Sequence, residues 1–319
     1  MTNVNNSELI SEWIHEFKLK ESPARLYDPI KYTLESGGKR LRPTLLLSVI
    51  CALGKSPEIA KNQALAVEIF HNFTLLHDDV MDNSEIRRGR LTVHKRWDAN
   101  TAILSGDAML SIAYQYAVDC PTEKVKDVFA LFNKTAIEVY EGQQLDMDFE
   151  HSSHVTVEQY LEMIRLKTSV LLGCACKMGA IMAEADDHCA DLFYKFGELL
   201  GLGFQLQDDL LDTYGDPLIF GKQIGGDIIN NKKTWLLITA LNEDKSGNVA
   251  KLLTLSLKNE EKVSRMIDLY NSMKLRERCI DLVKSYANSA LKCLDEIEMS
   301  QDWRQYFTSL VNRLTDRTF

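Results

Sequence analysis

Asp78, Asp79 and Asp82 in HDDVMDN, and Asp208, Asp209 and Asp212 in QDDLLD, share one DDxxD spacing at two distant points of the chain. On a helix turning about 100° per residue, the first and last aspartates of such a pattern lie about 40° apart, one turn from each other. Carboxylates this close repel, and take up protons unless a cation sits between them. Mg²⁺ is the natural cation, because it binds through one or two carboxylates and completes its shell with water and substrate phosphates. Mn²⁺ suits the same oxygen donors. A chain with 46 acidic residues can produce DDxxD by chance. Duplication, with each copy closing an apolar helical run, argues against chance. The sequence also carries its own control in Asp186, Asp187 and Asp191, a DDxxxD without a basic segment downstream, which reads as a solvated helix start.

Metal carboxylates imply an anionic ligand, and basic segments stand where one needs them. SGGKRLRP sets Lys39, Arg40 and Arg42 beside two glycines, ahead of a helix expected to start near Pro43. Glycines let backbone N–H groups approach an anion, and a helix N-terminus adds partial positive charge. Arg offers a fork for phosphate oxygens and Lys a point charge. Arg87 and Arg88 follow the first aspartate pattern in IRRGR, and GKQIGGDIINNK brings Lys222, Asp227 and Lys232 soon after the second. Lys167-Thr168 offers a charge and a hydroxyl. Gln143 and Asp146, three apart in GQQLD, suit the support of a metal's water shell. His71 lies two turns before Asp78 and close to its stripe, and Gln205 about one turn ahead of Asp208. Gly106-Asp107 reads as a possible helix start.

The elements that position these residues are helical. Long proline-free stretches carry apolar residues at helical spacing, and no sustained period-two alternation is bounded by turn signals. The expected architecture is all-α, a single large helical bundle of about ten or more helices around a central cavity, without a sheet. No fixed-period repeat or low-complexity linker divides it, so residues 1–319 read as one domain. SGGKRLRP, LGKSPE, DNSEIRRGR, DCPTE and the loop from Gly215 to Gly226 mark the breaks. The seven cysteines are odd in number, scattered and free of CxxC pairs, and read as free thiols of a reducing cytoplasm. A net charge of −9 argues against nucleic acid as a partner. Neither a signal segment nor a membrane-spanning run is visible.

Taken in order, GGKRLRP, HDDVMDNSEIRRG, the Lys167-Thr168 pair, GFQLQDDLLD and GKQIGGD resemble the trans-isoprenyl (polyprenyl) diphosphate synthases, over residues 37 to 232. The resemblance implies a helical bundle around a deep cavity, usually a homodimer. It implies that Asp78, Asp79, Asp82, Asp208, Asp209 and Asp212 hold three Mg²⁺ on an allylic diphosphate. Arg87, Lys167, Lys222, Lys232 and Gln143 would then grip that diphosphate. Lys39, Arg42, His71 and Arg88 would bind isopentenyl diphosphate, and Thr168 and Gln205 would lie near the reacting allyl group. GKQIGGD has one residue more between its Lys and Asp than some members of the family, which puts Asp227 and Lys232 in question.

Product length in such enzymes follows bulky residues below the first aspartate pattern. Here Phe73 and Thr74 stand five and four residues before Asp78, a pairing that resembles makers of fifteen- or twenty-carbon products. Helical phase puts Thr74 rather than Phe73 directly below Asp78, and Met109 and Tyr114 are further candidates for the floor. Two other readings remain: a terpene cyclase or squalene-type synthase, and a non-catalytic partner subunit of a prenyl synthase. The first does not need the isopentenyl diphosphate residues, and the second typically lacks one aspartate pattern.

Overall fold

The structure, a computed structural model, describes residues 6–215 and 225–315. Its helices are α1 Asn6–Glu16, α2 Ala24–Leu34, α3 Leu41–Ala52, α4 Lys61–Met81, α5 Val93–Arg96, α6 Ala99–Ala117, α7 Thr122–His151, α8 Val157–Ile164, α9 Val170–Met182 and α10 Asp187–Tyr214. They continue with α11 Gly226–Ile229, α12 Trp235–Glu243, α13 Asn248–Thr254, α14 Asn259–Ser272, α15 Leu275–Asp295 and α16 Gln301–Thr315. No helix among the described residues is long and apolar enough to cross a membrane. All seven cysteines are free thiols, with Cys174, Cys176 and Cys279 buried.

The chain forms two compact units. One comprises the residues up to Lys134 with Cys174–Phe193, the other Thr135–Gly173 with the residues from Tyr194 onward.

In the first unit α4 is the central element. Ala64, Leu65, Ala66, Val67, Ile69, Phe70, Phe73 and Leu76 are all buried, so α4 is apolar around most of its circumference, as a helix enclosed by others must be. α6 approaches it closely at Gly106, where a Cβ would stand 2.1 Å from His77 Nε2. This corrects the expected helix start at Gly106-Asp107. The start is Asp98, whose side chain accepts from the Thr101 N–H, and Gly106 is mid-helix because only a bare Cα leaves room for the His77 ring.

The expectation of no sheet also needs one correction. Ile86–Arg87 pairs antiparallel with Arg90–Leu91. Arg88 and Gly89 between them both have positive φ, 52° and 74°. Positive φ at both turn positions gives the hairpin geometry whose twist matches that of its strands, and Gly89 makes it accessible. The Asp186 cluster is a helix start as expected, its Oδ1 accepting from the Cys189 N–H at 2.7 Å.

In the second unit α8 begins at a reciprocal capping box between Thr156 and Gln159. It runs directly into a π-helical turn, Arg165–Ser169, before α9. α10 lies close against that turn, because Gly201 has no side chain: a Cβ there would come within 2.6 Å of Ser169 Cα. The unit's core gathers Tyr160, Leu206, Leu210, Leu236, Val249, Tyr270, Leu275 and Cys279.

Candidate active site

The basic segment at residues 39–42 sends its side chains to different tasks. Arg40, in a left-handed conformation at the N-terminus of α3, turns inward. There it donates to Glu68 and, at 2.6 Å, to the Leu34 carbonyl. Arg40 therefore anchors the loop. Arg42 reaches His71 on α4, with Nη1 and Nε2 3.2 Å apart. Its Nε is buried and has no hydrogen-bond partner. Burial lowers the Arg42 pKa to about 10, against the pull of Glu68 and with the push of Arg88.

Arg88, at the hairpin turn, donates to Ser36 Oγ at 3.2 Å and to the Gly37 carbonyl. Gly38 holds φ at +135° there, and a Cβ on it would lie 2.8 Å from Arg88 Nη2. Lys39 is exposed on the same loop. His71 thus stands among guanidinium groups. Burial first, then Arg42, Arg88, Arg87 and Arg40, holds its pKa well below the ordinary 6.5. A neutral imidazole ringed by cations is a site for an anion.

This arrangement has a measurable consequence for stability. The folded protein keeps His71 neutral, whereas the unfolded chain protonates it as pH falls through 6.5. The unfolded state then binds more protons, so unfolding free energy falls as pH is lowered through that window and rises as pH is raised. In denaturant titrations at pH 5.5 to 7.5, roughly that window, His71→Gln should show a flatter slope than the unaltered chain. An unchanged slope would assign the effect to other groups.

The first aspartate pattern closes α4 two turns beyond His71. Its three carboxylates are not equivalent. Asp79 is buried and accepts from Arg87 Nε at 2.7 Å, while Asp78 is half-buried and Asp82 exposed. Burial raises the Asp79 pKa, Arg87 opposing and Asp82 reinforcing the rise. His94 faces the same aspartate electrostatically, with both ring nitrogens buried and without hydrogen-bond partners. No spacing in the sequence marks His94.

Phe73 and Thr74 diverge below this cluster. Thr74 hands its hydroxyl to the His71 carbonyl at 2.8 Å. Phe73 is buried between Phe70 and His77, at ring distances of 5.5 and 4.8 Å. Phe70 meets Phe132 at 5.3 Å and Phe132 meets Tyr114 at 5.1 Å, so an aromatic column joins α4, α7 and α6. Tyr114 hydrogen-bonds Asn133 Oδ1 at 2.9 Å, and Met109 is fully buried.

The second unit assembles the other half of the expected residues. Its π turn presents Lys167 and Thr168 in succession. Lys167 Nζ meets Asp146 Oδ2 at 2.6 Å. Gly142 admits the turn, since a Cβ on it would stand 2.2 Å from the Lys167 nitrogen; Gln143 is the next residue of α7. Thr168 Oγ1 donates to Gln205 Oε1 at 3.2 Å, and Gln205 Nε2 donates to Asp209 Oδ1 at 3.3 Å. Tyr160, which the sequence reading did not single out, donates its hydroxyl to Asp209 Oδ2.

Asp209 is buried, whereas Asp208 and Asp212 on the same helix are half-buried. Burial and then Asp227 push the Asp209 pKa up to about 7, against Lys232 and its two hydrogen-bond donors. Asp212 Oδ2 accepts the Asp227 N–H at 2.9 Å. Asp227, through its backbone N–H, and Lys232, through its charge on Asp209, thus lie near the second aspartate pattern; Lys222 lies outside the described residues.

The donor set fits Mg²⁺. Both patterns turn their middle aspartate inward and leave the first and last nearer solvent, one helical turn apart. Among the described residues, no three His, Cys, Asp or Glu side chains are set to chelate one ion unaided. Mg²⁺ bound by one or two carboxylates, water and phosphate oxygens needs no such group. Burial raises the Asp79 and Asp209 pKa values, and the positive charge of Arg87 and of Lys232 opposes the rise.

A helical chain with two DDxxD helices, an arginine-ringed histidine and a Lys-Thr π turn has the all-α fold of the isoprenoid synthases. A family model described as Polyprenyl synthetase matches residues 23–273, and the chain belongs to that family. It is accordingly an enzyme of the prenyltransferase class. It is 40% identical over 238 residues to a geranylgeranyl diphosphate synthase of Methanosarcina mazei, covering 74% of each chain. It is 35% identical to a geranylfarnesyl diphosphate synthase of Natronomonas pharaonis, over 98% of this chain and 96% of that one. A crystal structure of a geranylgeranyl pyrophosphate synthase superposes with a TM-score of 0.91 at 43% identity, covering 98% of this chain and 96% of the other.

Proposed function

We propose that this enzyme condenses isopentenyl diphosphate with an allylic diphosphate, head to tail, to give a short-chain trans-prenyl diphosphate, with twenty carbons favoured over fifteen. The observation that carries the reading is the anion site around His71, two turns from Asp78 on one helix, about 10 Å along its axis. Two diphosphate-binding places in one enzyme suit a reaction that joins two diphosphates. A cyclase, which takes one, has no use for the second.

In this reading Arg42, His71 and Arg88, with Lys39, hold isopentenyl diphosphate. Arg87, Lys167 and Lys232 hold the allylic diphosphate, with Gln143 and Lys222 in support. Asp78 and Asp82 with Asp208 and Asp212 bind Mg²⁺, while Asp79 and Asp209 brace the two helix ends through Arg87 and through Tyr160 and Gln205. When bound, Mg²⁺ supplies positive charge to the departing diphosphate. The cationic side chains stabilise the same leaving group as its C–O bond breaks and an allylic cation forms. The isopentenyl double bond attacks that cation, making the new C–C bond. A proton leaves the adjacent carbon for the released diphosphate, and no protein nucleophile takes part.

The whole chain would work as one catalytic domain, in the cytoplasm and as a homodimer. Exposed Ile137 and Tyr140, about 60° apart around α7, support the last point.

The test is a product assay with labelled isopentenyl diphosphate, Mg²⁺ and each allylic primer in turn. Chelator-sensitive label in a twenty-carbon alcohol after dephosphorylation is the expected result. No incorporation with any primer would return the cyclase and partner-subunit readings.

A further inference from the structure

We propose that Tyr160 is a positioning residue for this reaction, acting through a directed hydrogen-bond chain that runs Tyr160–Asp209–Gln205–Thr168. The proposal rests on the prenyl-transfer reading and adds to it a residue outside the motifs.

The chain's direction follows from donor and acceptor inventory. Both Asp209 oxygens accept, and a glutamine amide has one donating and one accepting end. Asp209 accepts from Tyr160 at one oxygen and from Gln205 Nε2 at the other. With its NH₂ end committed, Gln205 turns its carbonyl to Thr168, whose hydroxyl donates. The single Thr168 hydroxyl hydrogen is thereby spent within the protein. What Thr168 offers outward is oxygen lone pairs, the polarity that suits a carbon becoming positive.

Tyr160 is suited to set this direction. It is 2% exposed, and burial beside Asp209 raises its pKa well above the ordinary value, so it stays a donor. The frame is rigid around it: α8 is pinned by its capping box, and Gly201 seats α10 directly on Ser169. Without the Tyr160 hydroxyl, one Asp209 oxygen loses its buried partner, and the carboxylate turns to find another. Gln205 can then flip, and Thr168 presents a hydrogen in place of lone pairs.

The experiment has two arms. In metal-free, substrate-free protein, proton NMR should show a downfield hydroxyl resonance that disappears in Tyr160→Phe and shifts in Thr168→Val. With Mg²⁺ and both substrates, Tyr160→Phe should lower kcat by about 10- to 100-fold, the usual loss for a partner behind a reacting or ligating group. KM for isopentenyl diphosphate should stay within about twofold, because Arg42 and His71 are untouched. Thr168→Val should lower kcat similarly, Thr168→Ser should restore it, and the double variant Tyr160→Phe/Thr168→Val should lose no more than the worse single.

Additive losses in the double variant, an unaltered kcat in Tyr160→Phe, or a hydroxyl resonance indifferent to Thr168→Val would each overturn the proposal. Failure of the underlying reading is told apart, because it would appear as no condensation by the unaltered protein while the hydroxyl coupling, measured without metal or substrate, persists.

Discussion

Asp78→Ala and Asp208→Ala should each reduce turnover by well over the ~10- to 100-fold that accompanies loss of an outer-shell metal partner. Thermal unfolding of both variants should stay cooperative. Asp78 and Asp208 are the first aspartates of their patterns, and each is half-buried rather than enclosed. On the proposed function, removing one deletes a metal ligand and, in the absence of metal, relieves repulsion among neighbouring carboxylates, so the fold has little to lose.

The middle aspartates should behave differently. Asp79→Ala strands the Arg87 guanidinium, and Asp209→Ala strands the buried Tyr160 hydroxyl, so both lose stability as well as rate. Rates measured at saturating Mg²⁺, with unfolding curves on the same samples, separate the two classes. Near-normal turnover in Asp78→Ala or Asp208→Ala would remove those residues from the metal site.

The second large effect concerns product length. Phe73 stands five residues before Asp78 on α4, about 7.5 Å deeper along the axis. It is 5% exposed and wedged between the Phe70 and His77 rings. Phe73→Ala should open that depth and shift product from twenty carbons to twenty-five or beyond, one added unit being about five carbons and the cavity gained about one ring. The same change removes core packing worth about 3–5 kcal/mol. Phe73→Leu keeps most of the volume and should lengthen product less at little cost in stability. Chromatography of dephosphorylated products reads both. An unchanged distribution in a folded Phe73→Ala protein would place the floor elsewhere in the aromatic column, with Phe70 or Phe132 the next side chains to shorten.

Much of the site is legible in the chain because its chemistry is written at short range. A DDxxD pattern at the end of an apolar helical run needs only helix geometry to become a pair of carboxylates on one face. Two copies with basic segments beside them point to a metal and a diphosphate, the proposed ligands, before any contact is known. The helical class was equally plain, since periodicity survives without partners. The hairpin at Ile86–Leu91 was not, because four paired residues are too few to show alternation, and positive φ at Arg88 and Gly89 decides the turn.

By itself the sequence determined which residues carry charge, metal-ligating oxygen and helical propensity, and in what order along the chain. These are local properties, set by side-chain chemistry and a period of about 3.6 residues. Only the tertiary structure decided what each charge does. Arg40 and Arg42 are two residues apart and carry the same side chain, yet one anchors a loop on Glu68 while the other faces His71. Asp79 and Asp209 read like their neighbours, yet each turns into the core to meet a partner. Tyr160 carries no motif at all and meets Asp209 because the fold buries the two side chains together. Whether a polar group is buried, and which partner satisfies it, depends on residues far away in the chain. No local pattern encodes that.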